Sequence, residues 1–174
     1  MLDRPLEKEY EGHFGTYIQL VPEGDLLGIL EEQGAAAERL FRNLSEEQGD
    51  YRYAPGKWSL KELIGHMIDT ERIMTGRLLR IARGDKTPQP GFEQDDYVAY
   101  AGLDRLTLSF LIEDYAALRR STLLLMRGIP DEAWTFMGVA SGNAMSARAF
   151  AYVVAGHERH HLGIIRERYV KGTE

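Results

Sequence analysis

The sequence predicts an all-α protein, a four-helix bundle with a long crossover connection between its second and third helices. Four long segments repeat apolar residues with the 3.6-residue period of an amphipathic helix, and no segment alternates convincingly with a period of two. The connection at residues 84–102 has 19 residues and two prolines, a length that is usual for a functional or crossover segment. Four such helices are typical of a bundle. We expect residues 1–174 to form a single domain.

The first predicted helix runs from about residue 25 to residue 44. Asp25 is a suitable N-cap because its carboxylate can accept a hydrogen bond from a backbone N–H of the first turn. The polar stretch "SEEQGD" at residues 45–50 ends the helix. The residues that share its buried stripe are Leu26, Leu30, Ala37, Leu40, Phe41 and Leu44.

The second predicted helix has the clearest start. Ser59 and Glu62 have the S-x-x-E spacing of a capping box, in which each side chain accepts the other residue's backbone N–H. Trp58 and Leu63 flank the cap where a hydrophobic staple would place them, and Gly84 supplies a stop. The buried stripe consists of Leu60, Leu63, Ile64, Met67, Met74, Leu78 and Ile81.

The third and fourth helices are predicted from the same periodicity. The third runs from about Thr107 to Arg127 and is closed by the "GIP" that follows. An irregular segment at residues 130–145 leads to the fourth, which runs from about Ser146 to Tyr169. We expect no strand in either connection, since neither alternates in polarity.

Composition narrows the classes of function. The formal net charge of −6 and the pI of about 5.4 argue against a nucleic-acid-binding protein, which needs a basic face toward phosphates. The chain has no cysteine, so it offers no thiolate ligand or nucleophile of its own. Its N-terminus lacks a signal-peptide pattern and no apolar run approaches the length of a membrane span. These features predict a cytoplasmic protein without membrane contact.

Three histidines interrupt the apolar pattern of the fourth helix. At about 100° per residue, His157 and His161 fall near the middle of an apolar arc, one turn apart, while His160 falls at its edge. The first two imidazoles should therefore face the bundle interior. Burying each without a partner would cost about 1–3 kcal/mol per missing hydrogen bond.

A metal ion is one partner that would satisfy both rings. The H-x-x-x-H spacing presents two nitrogens to a single ion, and His66 is the only histidine inside another predicted helix. This pattern predicts a divalent metal site of His66, His157 and His161, whereas His13 should lie on the surface. Two alternatives stay open. The rings could bond to backbone, water or a buried acid such as Glu71, or the cluster could be an exposed polar face of a rotated helix.

The acids near these histidines could orient the ligand rings. They are Asp69, Glu71 and Glu158, and Glu71 stands near the centre of the apolar arc of its helix. An equally good interpretation of Glu71 is a structural ion pair with an arginine such as Arg119. Histidine-rich sites accept several divalent ions, so we expect zinc or nickel first, with iron or copper as alternatives.

Two segments resemble a known family. The stretch "YAPGKWSLKELIGHMIDTERIMTGRLLRIARGD" and the stretch "SARAFAYVVAGHERHHLGIIRERY" resemble the DinB/YfiT-like superfamily of metal-binding four-helix bundles. The most specific parts are W-S-x-x-E-x-x-x-H, which ends at His66, and G-H-E-x-H-H, which contains His157 and His161. The resemblance implies an up-down-down-up bundle with these three histidines as ligands, and it also implies a homodimer.

The resemblance implies two kinds of activity. Some members are transferases and isomerases that use low-molecular-weight thiols, and others are described as metal-dependent hydrolases. Three imidazoles leave positions open on an ion, where water could become hydroxide or an external thiol could become thiolate. We therefore expect an enzyme with a small-molecule substrate, and a low-molecular-weight thiol as a possible partner. The alternative is a non-catalytic, stress-related protein that binds a metal or a small ligand.

Overall fold

Four long α-helices carry the fold and correspond to the four predicted segments. The computed structural model describes residues 2–170, so residue 1 and residues 171–174 of the expected single domain lie outside the described part. The all-α prediction is confirmed. Within residues 2–170 the helices are α1 (Phe14–Gln19), α2 (Leu26–Arg42), α3 (Glu46–Asp50), α4 (Leu60–Ala82), α5 (Gln94–Ala101), α6 (Leu108–Arg127) and α7 (Ala147–Ile164).

The long helices are arranged around the bundle in the order α2, α6, α4, α7. Both α2 and α4 pack against α6 and α7. The first halves of α4 and α6 share one apolar cluster and their second halves share another, so these two helices run parallel. The first halves of α2 and α7 both lie in the cluster that contains the second half of α4. This arrangement is the up-down-down-up topology that the family resemblance implied.

Side-chain caps fix where the long helices begin. The Asp25 carboxylate accepts from the Gly28 N–H at 3.0 Å, as predicted for α2. The predicted capping box of α4 is present: the Ser59 hydroxyl accepts from the Glu62 N–H at 3.2 Å, and the Glu62 carboxylate accepts from the Ser59 N–H at 2.7 Å. Ser146 caps α7 in the same way, through the Ala149 N–H at 3.0 Å. These caps satisfy backbone donors that a helix start leaves unpaired.

The connections contain short elements that periodicity did not reveal. The expectation of no strand was wrong, because β1 (Met137–Ala140) and β2 (Asn143–Ser146) form an antiparallel hairpin before α7. Its turn consists of Ser141 and Gly142, with φ of 52° and 77°. Four-residue strands are too short to show a period of two. The crossover at residues 84–102 likewise contains α5, and the end of the fourth helix widens into a π turn at Ile165–Tyr169.

A polar layer separates two apolar cores along the bundle. On α2, α6 and α7 the side chains of this layer stand between the residues of one apolar cluster and those of the other. On α4 Glu71 does so, whereas His66 lies among the last residues of the first cluster. None of the helices in residues 2–170 combines the length and the hydropathy needed to cross a membrane. The members of the polar layer are Gln33, His66, Glu71, Arg119, Thr122, His157, Glu158 and His161.

Candidate metal centre

Helices α4 and α7 bring the three predicted histidines together. The Nε2 atom of His157 lies 3.2 Å from Nε2 of His66 and 3.1 Å from Nε2 of His161. One ring nitrogen from each residue lies within 4.8 Å of the other two, and all three side chains are buried. Within residues 2–170, no other group of three or more potential metal-ligating side chains comes so close together. His160 is exposed, as is His13, in agreement with the helix phase predicted above.

These short contacts are poorly explained by hydrogen bonds among the rings. An imidazole nitrogen carries either one proton or one lone pair, so Nε2 of His157 cannot form a good hydrogen bond with both neighbours at once. With metal–nitrogen distances of about 2.0–2.1 Å, two imidazole ligands about 90–109° apart place their nitrogens roughly 2.9–3.4 Å from each other. The two separations that involve Nε2 of His157 fall within that range. The donor set therefore fits a divalent ion.

Burial keeps all three imidazoles neutral. It lowers the pKa of His66 to about 4 and that of His161 to about 3. The pKa of His157 is also far below its usual value, first because of burial and then because of the neighbouring histidines. Metal binding requires the unprotonated nitrogen, so the site is ready to bind an ion at neutral pH without first releasing a proton.

The surroundings of the rings argue against the two alternatives for these histidines. His157 and His161 are buried, which excludes an exposed polar face. The hydrogen-bond-length contacts described for the three rings join their own Nε2 atoms rather than backbone or acid groups. In residues 2–170, Nδ1 of His161 has no partner. Trp58 packs against His66, with ring centroids 4.8 Å apart, and Tyr17 packs edge-on against His157 at 5.3 Å.

A glycine permits the close approach of α1 to the site. A Cβ atom at Gly156 would lie 1.9 Å from the backbone oxygen of Tyr17, a distance that no side chain tolerates. Gly156 directly precedes the ligand His157. Its lack of a side chain allows α1 to pack closely against α7 at this position. The predicted G-H-E-x-H-H motif therefore includes a packing requirement besides its ligands.

The predicted acids contact arginine instead of imidazole. The carboxylate of Glu71 accepts from Arg119 at 2.7 and 3.1 Å and from the Thr122 hydroxyl at 2.6 Å, which confirms the ion-pair interpretation of Glu71. Asp69 is half-buried near Arg72, with 3.6 Å between the charged atoms, and burial raises its pKa. Neither Glu71 nor Asp69 therefore contacts a ligand ring directly.

Glu158 is the acid closest in sequence to a ligand, and three side chains hold it. Arg119 pairs with it at 2.9 Å, and it also accepts hydrogen bonds from the Tyr115 hydroxyl and the Gln33 side-chain amide. Burial opposes the charge of Arg119, but Glu158 and Glu71 outweigh that effect and raise its pKa well above the usual value. The network ties together all four long helices at the level of the histidines. A role of Glu158 in positioning His157 through α7 stays a prediction.

Sequence reasoning missed Gln33 and Tyr115 as members of this network. Both are buried and contact Glu158. Gln33 did leave a signal, because it stands one turn after Leu30 and one turn before Ala37, within the apolar stripe of α2. Tyr115 left none, since a tyrosine in an apolar stripe is ordinary.

Comparisons with known proteins agree with this architecture. The family model described as the DinB superfamily matches residues 29–165, a range that contains all three histidines. Among solved structures, the chain is similar to YfiT from Bacillus subtilis, with a TM-score of 0.73 and 16% sequence identity over 84% of this chain and 90% of that one. YfiT is described as a probable metal-dependent hydrolase with an unusual four-helix bundle topology. No curated protein matches the sequence.

Proposed function

The chain belongs to the DinB superfamily, and on that basis we propose that it is a metal-dependent enzyme whose divalent ion is held by His66, His157 and His161. The observation that carries the proposal is the convergence of three buried Nε2 atoms from two helices at the spacing of metal ligands. Zinc or nickel is the first candidate for the ion, with iron or copper as alternatives, because imidazole ligands suit all four.

The proposed reaction is hydrolysis of a small-molecule substrate. When bound, a divalent ion with open positions supplies Lewis acidity and activates either a water molecule for hydrolysis or an external thiol for transfer. The description of YfiT, which shares the fold, favours hydrolysis. Thiol transfer is the second candidate, suggested by the family resemblance. Any thiol would have to come from solution because the chain has no cysteine.

The protein's own residues orient the ligand rings and shield them from solvent. Neutral imidazoles on two packed helices fix the ligand directions before an ion arrives, which reduces the reorganisation needed on binding. The aromatic rings of Trp58 and Tyr17 cover His66 and His157. Burial raises the pKa of the Tyr17 phenol, so its hydroxyl stays protonated and able to donate a hydrogen bond at neutral pH. The charged network around Arg119 connects the four long helices beside the site.

The decisive experiment uses protein purified without a histidine tag and reloaded with cobalt. Turnover of a panel of esters and amides is measured with and without an added low-molecular-weight thiol, and a soft electrophile is tested in parallel. Hydrolysis that does not depend on thiol supports the proposal. A thiol-dependent charge-transfer band in the near ultraviolet, together with thiol-dependent turnover of the electrophile, would replace hydrolysis by thiol transfer.

Two variants control for adventitious metal. His157→Ala should lose the cobalt spectrum and the turnover together, whereas His160→Ala, which changes an exposed histidine on the same helix, should keep both. A protein that binds one ion per chain but turns over nothing in the panel would favour the non-catalytic alternative. Turnover that survives His157→Ala would contradict the proposed site.

A further inference from the structure

A second feature on α4 is a buried arginine without an acidic partner. Arg77 is 4% exposed, yet within residues 2–170 no carboxylate forms an ion pair with it. Its neighbours on the helix are both compensated: Arg72 pairs with Asp114, and Arg80 pairs with Asp85 at 2.7 Å. Burying a guanidinium with no counter-charge is costly, so an arginine in this state calls for an explanation.

The contacts of Arg77 leave part of its hydrogen-bonding capacity unused. Its Nη2 donates to the backbone oxygen of Pro90 at 2.6 Å and to the Ser141 hydroxyl at 3.1 Å, and its Nη1 lies 3.7 Å from the Met74 sulfur. The guanidinium also lies over the Phe92 ring, 5.8 Å from its centroid. A guanidinium has five N–H donors, and two neutral oxygens and a thioether do not neutralise it. Burial lowers the pKa of Arg77 accordingly.

Arg77 lines a groove of about 290 Å³ between α4 and the crossover connection. A second donor lines the same groove: Gln89 is 7% exposed, and its Nε2 has no hydrogen-bond partner in residues 2–170. Part of the lining is aromatic: Phe92 and Tyr97 both line the groove, and their ring centroids lie 5.1 Å apart. The groove thus combines one uncompensated positive charge, one unpaired amide donor and an apolar surface.

We propose that this groove binds an oxyanion, the carboxylate or phosphate of a small molecule, with Arg77 and Gln89 as its donors. The planar guanidinium fork suits the two oxygens of such a group, and a single uncompensated charge matches a monoanion. The Phe92 and Tyr97 rings would accommodate an apolar or aromatic body attached to it.

The groove is distinct from the histidine site but lies on the same stripe of α4. Arg77 follows His66 by eleven residues, which corresponds to about three helical turns, roughly 16 Å of helix axis and a rotation of about 20°. Oxyanion binding here does not depend on the proposed metal. The experiment therefore uses metal-free protein, so that its outcome is independent of the outcome for the histidine site.

The competing explanation is that Arg77 only clamps the crossover and the hairpin onto α4. To separate the two, metal-free protein is titrated with benzoate, acetate and inorganic phosphate at constant ionic strength, with chloride as the control anion. Binding is followed by isothermal calorimetry and by the NMR signals of the Gln89 side-chain amide. We expect saturable binding of at least one oxyanion and a shift of those signals, but neither with chloride. Tighter binding of benzoate than of acetate would identify a carboxylate ligand with an apolar body, and tighter binding of phosphate would identify a phosphate ligand.

Three variants make the test specific. Arg77→Gln should abolish saturation, and Gln89→Leu should weaken binding by about tenfold or more, because each removes a donor to a charged group. Arg83→Gln, which removes the same positive charge from an exposed residue at the end of α4, should leave binding unchanged. If Arg77→Gln does not fold, Gln89→Leu decides the question. Absence of saturation with all three oxyanions, or binding that both donor variants leave intact, would overturn the proposal.

Discussion

The Nε2 atoms of His66 and His157 lie 3.2 Å apart, although 91 positions separate the two residues in the chain. They stand on α4 and α7, two of the adjacent helices of the bundle. The metal centre therefore depends on the register between these helices as much as on the identity of the ligands. A shift of one turn, about 5.4 Å, would separate the rings completely.

The first prediction is that each of the three buried histidines is needed to hold the ion. His66→Ala, His157→Ala and His161→Ala should each lower metal affinity by more than the roughly 10–100-fold typical of losing a residue that only orients a ligand. His160→Ala should retain about one ion per chain, since that side chain is exposed. Metal content after dialysis, measured on tag-free protein, provides the test. A loss in His160→Ala combined with retention in His161→Ala would contradict the site.

Much of the bundle could be predicted because its signals are local and repeated. The apolar stripes of α2, α4, α6 and α7 extend over 17 or more residues each. The N-caps at Asp25 and Ser59 depend only on residues within one helical turn. The same reasoning located His157 and His161, because a polar residue at the centre of an apolar arc is conspicuous. Periodicity could place His66 beside them only by elimination, and the family resemblance implied the same residue.

What could not be predicted depends on contacts between distant segments. The hairpin strands have four residues each, too few to establish a period, and α5 lies in a stretch whose polarity suggests only a loop. The Glu71–Arg119 pair was one of two interpretations that the sequence offered, but the second pair, of Arg119 with Glu158, depends on how three helices face one another. No spacing rule reveals that one arginine serves two carboxylates from different helices.

The second prediction concerns Glu71 as the partner of Arg119. Glu71→Gln keeps the shape of the side chain but removes its charge, so we expect a loss of about 1–3 kcal/mol in the free energy of unfolding. Metal affinity should change little, because Glu71 contacts Arg119 and Thr122 and no imidazole. Urea unfolding and a metal competition titration on the same samples measure the two quantities.

A partly exposed acid supplies the control for Glu71. Glu38 pairs with Arg42 on the surface of α2, where such pairs contribute about 0.3–0.5 kcal/mol. Glu38→Gln should therefore alter unfolding only slightly. If Glu71→Gln instead left stability intact and weakened the metal by tenfold or more, Glu71 would act on the ligands after all, as the sequence alone allowed.

The third prediction compares two glycines of α7. Gly156→Ala places a methyl group 1.9 Å from the Tyr17 backbone oxygen, so α1 must move and we expect a destabilisation of at least about 1–3 kcal/mol. Gly163→Ala meets nothing within 4 Å and should stabilise the helix by up to about 1 kcal/mol. Thermal unfolding of the two variants should thus shift in opposite directions. Equal shifts would show that α1 does not pack as closely on α7 as described.

The fourth prediction is a dependence of stability on pH through Glu9 and Arg148. The Glu9 carboxylate accepts hydrogen bonds from Arg148, at 2.6 Å from its Nε, and from the Ser146 hydroxyl at 2.9 Å. The bond to Arg148 is the largest favourable influence, and the pKa of Glu9 lies below its usual value despite burial. Because Ser146 also caps α7, this contact connects the N-terminal segment to the helix that carries two of the metal ligands.

The sign of the pH effect follows from the direction of that shift. A carboxyl group whose pKa is lower in the folded than in the unfolded state stabilises the fold at pH values above the unfolded pKa of about 4.3, and it loses this contribution as the pH falls through the folded pKa. Glu9→Gln should therefore be less stable than the wild type by about 1–3 kcal/mol at pH 7, and the difference should shrink toward pH 3. Urea unfolding of both proteins at several pH values measures it. Glu7→Gln, which changes an exposed acid two residues earlier, should follow the wild-type profile. If the stability difference of Glu9→Gln stayed constant or grew at low pH, the Glu9–Arg148 contact would not stabilise the ionised carboxylate.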